Sequence, residues 1–234
     1  MKPEDFRKHA HELVEWMAGY MENVEKYPVK SQVRPGEIFD SIPDIPPENR
    51  ESFDSLMSDL DKIIMPGISH WQSPNFYAYF PANTSPASIL AEMIISTLGV
   101  QAMIWETSPA ATELEEKMMN WLKTMTGLPG EFEGVIQDSA STATLTAILS
   151  AREKSTAYMS NEQGLASVSK LLRIYCSDQT HSSVDKAVKI AGIGRKNLIR
   201  LPSRHDFSFD PDALKKAIAE DISNGYIPCC VVGL

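Results

Sequence analysis

From Gly134 onward the chain alternates between short apolar runs and longer segments with helical periodicity. The apolar runs are rich in β-branched residues and cover residues 134–137, 172–176, 198–201 and 227–234. Strands that alternate with helices form βαβ units, in which the strands lie parallel in one sheet. This pattern predicts an α/β domain with a mainly parallel sheet.

The chain before this alternation has helical periodicity. Apolar residues recur every three or four positions over residues 3–25 and 53–64, which predicts two helices, the second ended by Pro66 and Gly67. Residues 28–47 are rich in proline and are expected to be extended and irregular. The apolar sequence of residues 86–103 predicts a buried helix.

Two further helices have clear start and stop signals. Ser108 followed by Pro109 predicts the start of one helix, and Gly127 its end. A last helix is predicted from Asp210 to Asn224, with Pro211 in its first turn and Gly225 after it.

The composition disfavours several classes of protein. The 234 residues are 43% hydrophobic and 23% charged, which is typical of a globular chain. A formal net charge of −9 argues against nucleic acid or an anionic membrane as the main partner. No apolar run has the length of a membrane span, and the charged first residues do not predict a signal peptide.

The cysteines and histidines point to a reducing compartment and to no metal. Cys176, Cys229 and Cys230 all lie in apolar runs, and an odd number of buried cysteines favours the cytoplasm over a disulfide framework. No histidine pairs with cysteine or carboxylate at a metal-site spacing, so we expect no metal centre.

Because the run 227–234 stops with the chain, we expect a fragment or one piece of a nicked protein.

The junction GVIQDSASTATL, residues 134–145, crowds small hydroxyl residues between a predicted strand and a predicted helix. A helix start offers unpaired N–H groups and partial positive charge, so Ser139 and its neighbours could hold a phosphate. Taken alone, the composition favours the simpler interpretation that Ser139 or Ser141 caps the helix. The carboxylate of Asp138 also argues against an anion site, unless it points away or pairs with another group.

A second strand-to-helix junction, SDQTHSSV, contains His181. Asp178 precedes it by three residues and could hold the imidazole in one orientation. The alternative is a surface histidine followed by a serine cap at Ser182 or Ser183. A hydrolase triad of a serine near 139–141 with Asp178 and His181 is disfavoured, because the sequence has no Gly-x-Ser-x-Gly and the spacing is awkward.

Aromatic residues crowd residues 71–80 between turn residues, so this segment could line a pocket for a flat ligand or belong to the core. Together with three other stretches it carries a resemblance. The stretches IIMPGISHWQSPNFYAYFP, SPAATELEEKMMNWL, GVIQDSASTATL and SDQTHSSVDKA follow in this order. The chain resembles the N-terminal half of the aromatic-L-amino-acid decarboxylase family, the pyridoxal-phosphate-dependent group II amino acid decarboxylases.

The resemblance implies the fold-type-I architecture of aspartate aminotransferase. Residues 1–84 would form an N-terminal helical segment that packs on the partner of a homodimer. Residues 85–234 would form the first part of the large domain, which binds the cofactor pyridoxal 5'-phosphate.

The resemblance also implies the site. The cofactor phosphate would be held by Ala140 and Ser141, next to Ser139, and His181 would stack on the pyridine ring as the catalytic histidine. The remaining positions match the substrate pocket, the last two reaching it from the neighbouring subunit: Trp71, Tyr79, Phe80, Pro81, Gln101 and Met103.

The chain departs from the family at several of these positions. Asp138 stands where animal members have glycine, and Ala82 where they have threonine. Gln101 and Met103 replace bulkier apolar or aromatic residues, which suggests that the pocket accepts a different ring or tolerates a polar group.

The implied activity is decarboxylation of an aromatic L-amino acid to its amine and carbon dioxide. The family's Schiff-base lysine follows a histidine, and no His-Lys pair occurs here; the aspartate motif for the pyridine nitrogen is also absent. The chain alone is therefore expected to be inactive, unless a second polypeptide supplies that half. The alternatives are a related aldehyde synthase, another group II amino acid decarboxylase, and a non-catalytic dimerisation or binding module.

Overall fold

The computed structural model describes residues 1–80 and 84–233. The chain divides into two compact units, Met1–Val100 and Gln101–Leu234. The dimerisation role of residues 1–84 and the cofactor-binding role of residues 85–234 stay predictions.

The first unit is helical in the part that the structure describes. Both predicted helices form, and the second continues as a π turn over Leu60–Ile64 and a 3₁₀ turn over Met65–Gly67, ending where Pro66 and Gly67 predict. The proline-rich segment is irregular except for one short helix. The helices are α1 Pro3–Asn23, α2 Glu37–Ser41, α3 Phe53–Asp59 and α4 Pro86–Leu98.

A buried aromatic cluster stabilises the first unit. The ring of His70, only 2% exposed, stacks on Tyr27 with centroids 4.8 Å apart. Its Nδ1 lies 2.7 Å from the hydroxyl of Tyr20 on α1. The His70 backbone N–H donates to the carbonyl of Val29 at 2.9 Å, which ties the proline-rich segment to the same cluster. Burial lowers the pKa of His70, because desolvation penalises the charged imidazolium.

Helix α4 corrects one prediction. It ends at Leu98, because Gly99 adopts a left-handed conformation (φ 61°) and donates to the carbonyl of Ile95. Its apolar side chains are exposed rather than buried: Leu90 is 57%, Ile94 61% and Leu98 69% accessible. Periodicity predicts the helix, but burial depends on what covers it.

The second unit contains a parallel sheet, as predicted. The strands β1 Leu172–Ser177, β2 Leu198–Leu201 and β3 Ile227–Val232 lie in the order β2-β1-β3. Ile174 of β1 is paired with Leu198 on one side and Cys230 on the other. The helices of this unit are α5 Pro109–Met125, α6 Ala140–Ser155, α7 Met159–Gln163, α8 Ser183–Ile190 and α9 Pro211–Ser223.

Helices cover both faces of the sheet. Ile174 and Cys176 on one face of β1 pack with Ile148 of α6 and with α8 in the main hydrophobic core. Successive side chains of a strand point to opposite faces, so Tyr175 points the other way. Its hydroxyl donates to Asp221 of α9 at 2.9 Å. This layering is typical of the doubly wound α/β class.

Residues Gly134–Gln137, predicted to be a strand, form none. Val135 and Ile136 are more than half exposed, and the Ile136 N–H donates to the carboxylate of Glu115 on α5 instead of to a neighbouring strand. A β-branched run becomes a strand only where another strand pairs with it. The apolar run at 227–234 forms a strand as predicted, except that Leu234 lies outside the described residues.

Two searches of the described residues were negative. No helix within residues 1–80 or 84–233 is both long and apolar enough to cross a membrane. Over the same ranges, no group of three or more His, Cys, Asp or Glu side chains is placed to hold a metal ion.

Candidate active site

The first turn of α6 has a capped end and two free donors. The hydroxyl of Ser139 accepts the N–H of Thr142 at 3.2 Å, so the capping interpretation is correct for this serine. The N–H groups of Ala140 and Ser141, like the Ser141 hydroxyl, have no hydrogen-bond partner in the described part of the chain. A helix start with exposed free donors suits an anion.

The carboxylate of Asp138 forms no hydrogen bond with this turn. Its side chain is exposed, and no hydrogen bond or ion pair of the carboxylate is found within residues 1–80 and 84–233. The first turn of α6 itself contains no acidic residue. An anion at the free donors would therefore meet one nearby carboxylate, which is free to turn toward solvent.

His181 lies in the loop between β1 and α8, but Asp178 does not orient it. The Asp178 carboxylate accepts the hydroxyl of Ser203 at 2.6 Å and the Ser203 N–H at 3.2 Å. These bonds lower the pKa of Asp178 and tie the loop after β1 to the loop after β2. The prediction that Asp178 holds the imidazole is wrong, because the adjacent loop offers two donors to the carboxylate. A triad through Asp178 does not form either.

Ser183, and not Asp178, holds the ring of His181. Its Nδ1 lies 3.2 Å from the backbone N of Ser183 and 3.0 Å from the Ser183 hydroxyl. Ser182 occupies the N-cap position of α8 without a capping side-chain bond. Neither serine hydroxyl caps the backbone of this helix, so the predicted serine cap is wrong: the imidazole takes that role because its Nδ1 faces the first turn.

The start of α6 and His181 lie at the same edge of the sheet. Helix α8 begins just after the carboxyl end of β1 and runs back toward the amino ends of the strands. Near the end of α6, the guanidinium of Arg152 donates to the carbonyl of Ala191 at the end of α8 at 2.8 Å. The two helices also pack together, and Ile148, Val184 and Val188 belong to the same hydrophobic cluster. They therefore run in the same direction, and both begin at the carboxyl edge.

The lengths of these helices agree with this placement. At about 1.5 Å per residue, α8 is about 12 Å long, and α6 spans about 18 Å from its start to Arg152. Both helices are therefore long enough to reach the carboxyl edge of the sheet from this contact. Ligands of open α/β sheets bind at this carboxyl edge.

Three aromatic rings of the first unit stack in a row, which we call the aromatic wall. Trp71 stacks on Phe76 with centroids 4.7 Å apart and on Tyr79 at 5.7 Å. Tyr79 has a positive φ of 57° and is 83% exposed, and the next residue, Phe80, is almost fully exposed. Pro81 and Ala82 lie outside the described residues. The wall presents flat apolar surface, which suits an aromatic ligand.

Gln101 and Met103 lie at the start of the second unit. The Gln101 carbonyl accepts the hydroxyl of Thr107 at 2.6 Å, and the Met103 side chain is largely exposed. Their place in the substrate pocket stays a prediction, as do the roles of the aromatic wall, the α6 donors and His181.

Comparison with known proteins decides the family. A model of the pyridoxal-dependent decarboxylase conserved domain matches residues 35–234. The chain belongs to this family. The resemblance to group II decarboxylases is therefore confirmed, and the family's name gives pyridoxal as its cofactor.

Two curated relatives of this chain differ in name. Tyrosine decarboxylase 2 from Narcissus pseudonarcissus is 42% identical over 244 residues, covering 100% of this chain and 48% of the relative. Phenylacetaldehyde synthase from Petunia hybrida is also 42% identical over 244 residues, covering 100% and 47%. The chain thus spans about half the length of the curated relatives that it matches.

Solved structures confirm the fold type I class. Catharanthus roseus tryptophan decarboxylase in complex with L-tryptophan superposes with a TM-score of 0.90 at 40% identity, over 99% of this chain and 50% of that one. Oryza sativa TDC with PLP and tryptamine gives a TM-score of 0.88 at 34% identity, over 99% and 51%.

The residues at the start of α6 fit a cofactor phosphate. The test is the start of α6, where Ala140 and Ser141 are exposed and two backbone N–H groups and one hydroxyl have no acceptor within residues 1–80 and 84–233. Ala140 has only a methyl side chain, so an anion can approach the backbone closely.

Proposed function

We propose that the protein containing this chain decarboxylates an aromatic L-amino acid to its amine and carbon dioxide with pyridoxal 5'-phosphate. The observation that carries the proposal is the pairing of free helix-start donors with His181 at one edge of the sheet. Family membership and relatives named tyrosine and tryptophan decarboxylase support it.

Each group has a part in this proposal. The N–H groups of Ala140 and Ser141, with the Ser141 hydroxyl, hold the cofactor phosphate, and Ser139 keeps the turn capped. The ring of His181 lies on the pyridine face and holds it flat. When bound, the cofactor supplies the electron sink that loss of carbon dioxide requires.

The aromatic wall selects the substrate in this proposal. Trp71 and Tyr79, with Phe80 and Pro81 after them, contact the aromatic side chain of the amino acid. Gln101 and Met103 reach the substrate from a neighbouring subunit, where the pocket accepts a different ring or tolerates a polar group.

The proposed protein is a homodimer. Leu90, Ile94 and Leu98 recur every four residues along α4 and form one exposed apolar stripe. Such surface is normally covered in a folded protein. No His-Lys pair occurs in this chain, and in this proposal the cofactor-linked lysine belongs to the complete protein or to a second polypeptide.

The test uses the full-length gene product with pyridoxal phosphate and a panel of aromatic and acidic amino acids. Release of carbon dioxide and an equal amount of amine from an aromatic substrate is the expected result. His181→Ala should lower turnover strongly while circular dichroism stays unchanged. His205→Ala, an exposed histidine in another loop of the same unit, is the matched control. Unchanged turnover in His181→Ala would refute the stacking role.

A related aldehyde synthase is the second candidate, because a relative with that name is as similar as the tyrosine decarboxylase. That reaction would consume oxygen and release aldehyde, ammonia and hydrogen peroxide in place of the amine. Measuring amine and oxygen uptake in the same assay separates the two. A full-length protein that binds no pyridoxal phosphate would contradict both.

A further inference from the structure

The ring of His181 receives two hydrogen-bond contacts at one nitrogen. The backbone N–H of Ser183 donates to Nδ1 at 3.2 Å, and the Ser183 hydroxyl lies 3.0 Å from the same atom. Both distances are within the range of hydrogen bonds. The carbonyl of His181 in turn accepts the N–H of Val184, so this residue is bound to the first turn of α8 by both its ring and its backbone.

These contacts determine where the neutral ring carries its proton. A backbone N–H can only donate, so Nδ1 must present its lone pair to Ser183. A neutral imidazole with an unprotonated Nδ1 carries its proton on Nε2. The Ser183 hydroxyl can rotate and donates to the same lone pair.

The surroundings of Ser183 favour this arrangement. The residue is only 7% exposed, so water competes little for its hydroxyl. No other hydrogen-bond partner of this hydroxyl is found within residues 1–80 and 84–233. A buried hydroxyl that lost the imidazole would be left without a partner, which is costly.

We propose that Ser183 is a positioning residue that fixes neutral His181 in the tautomer with the proton on Nε2. The ring then offers a hydrogen-bond donor, and not a base, at its free edge. No group in the described part of the chain accepts from Nε2 and the residue is exposed, so this proton is available to the cofactor, the substrate or solvent. Proton movement through this ring must begin with donation from Nε2. The inference rests on the proposed function, in which His181 lies on the cofactor.

The first test is the tautomer itself. The full-length protein is labelled with ¹⁵N in its histidine rings, and the His181 signals are assigned by their loss in His181→Gln. Proton-detected nitrogen spectra should show an unprotonated Nδ1 and a protonated Nε2. Ser183→Ala and Ser183→Thr, which both keep the backbone N–H that fixes the tautomer, and Ser182→Ala, the neighbouring control, should retain the wild-type pattern.

Two results would overturn the inference: a wild-type ring with its proton on Nδ1, or a Ser183→Ala ring that carries its proton on Nδ1 although the backbone N–H is still present. If Ser183→Ala does not fold, Ser183→Cys, a weak donor of similar size, replaces it under the same criteria. These readouts need no bound cofactor.

The second test separates this inference from the proposed function. In the loaded enzyme, Ser183→Ala should lower kcat about tenfold with KM and the cofactor Kd nearly unchanged, because a single neutral hydrogen bond is lost. Absence of pyridoxal phosphate binding by the wild type would refute the proposed function and leave the tautomer result standing. Normal pyridoxal phosphate binding together with a proton on Nδ1 would refute the inference and leave the proposed function standing.

Discussion

Ser139 and Ser141 are two residues apart at the start of α6, yet they make different contacts. Ser139 caps the helix through the N–H of Thr142, while the Ser141 hydroxyl has no partner in the described part of the chain. One serine therefore serves the fold, and the other is free for a ligand.

Alanine at each position should separate these roles. Ser139→Ala should lower the free energy of unfolding by about 1 kcal/mol, the usual contribution of a capping side chain. Ser141→Ala should change that free energy by less than about 0.5 kcal/mol but weaken pyridoxal phosphate binding in the full-length protein. Urea titration and cofactor fluorescence measure the two quantities. Equal cofactor affinity in Ser141→Ala and wild type would contradict the phosphate role.

His70 should make stability depend on pH. Its pKa is lowered by burial, so the folded state favours the neutral ring. The resulting stability is present above the unfolded pKa of about 6.5 and is lost as pH falls through the lower folded value. Urea unfolding between pH 5 and 8 should show this decrease. His70→Gln should remove most of this pH dependence. His11→Gln, which changes an exposed histidine on α1, should leave the pH dependence unchanged. An unchanged slope in His70→Gln would refute the assignment.

Single side chains also show where sequence reasoning succeeds. Capping by Ser139 depends on residues within one turn, so it could be predicted. The partner of Asp178 could not be predicted. Ser203 lies on the next strand-to-helix connection and comes next to Asp178 only when β1 and β2 pair. The contact between His181 and Ser183 was missed for another reason: three adjacent polar residues could each have capped α8.

Helix α8 ends in a tight turn against a neighbouring 3₁₀ segment, Leu165–Ser167. Gly192 has a φ of +74°, and a Cβ added there would lie 2.6 Å from Cδ1 of Leu165. Gly225, after α9, has a similar φ of +82° but open space around it. The two glycines therefore share a backbone requirement and differ in packing.

Alanine at these glycines should separate backbone strain from contact. Gly225→Ala should lower the free energy of unfolding by about 1–2 kcal/mol, the cost of a left-handed conformation. Gly192→Ala should lower it further, because Leu165 must also move. Thermal or urea unfolding provides the comparison. Equal losses would show that Leu165 yields at no cost.

The elements themselves were largely predictable. Asp210, Pro211 and Gly225 mark both ends of α9, because capping and chain reversal are local properties. The strand predicted at Gly134–Gln137 does not form, because strand formation needs a neighbouring strand to pair with. Helix α4 was predicted as a helix and wrongly as buried, since periodicity does not report what covers a face.

The apolar stripe on α4 relates the chain to its assembly. Leu90, Ile94 and Leu98 each offer side-chain area whose burial would contribute about 1.5–3 kcal/mol. Ile94→Asp should therefore weaken association of the full-length protein markedly, as measured by sedimentation velocity. Ser96→Asp, on the opposite side of the same helix, is the charge-matched control. Dimerisation of Ile94→Asp at wild-type strength would exclude this stripe from the interface.

The central position of β1 also determines the order in which the sheet can be assembled during synthesis. Ile174 is paired with Leu198 and with Cys230, and the second pairing closes a loop more than twice as long as the first. Doubling a loop costs only about 0.6 kcal/mol, so the effect on stability is small. The two pairings differ more in when they can form. The segments β1, α8 and β2 are synthesised before β3, so the first pairing can form before the second. Until then one edge of β1 is unpaired and is open to pairing with strands of other chains.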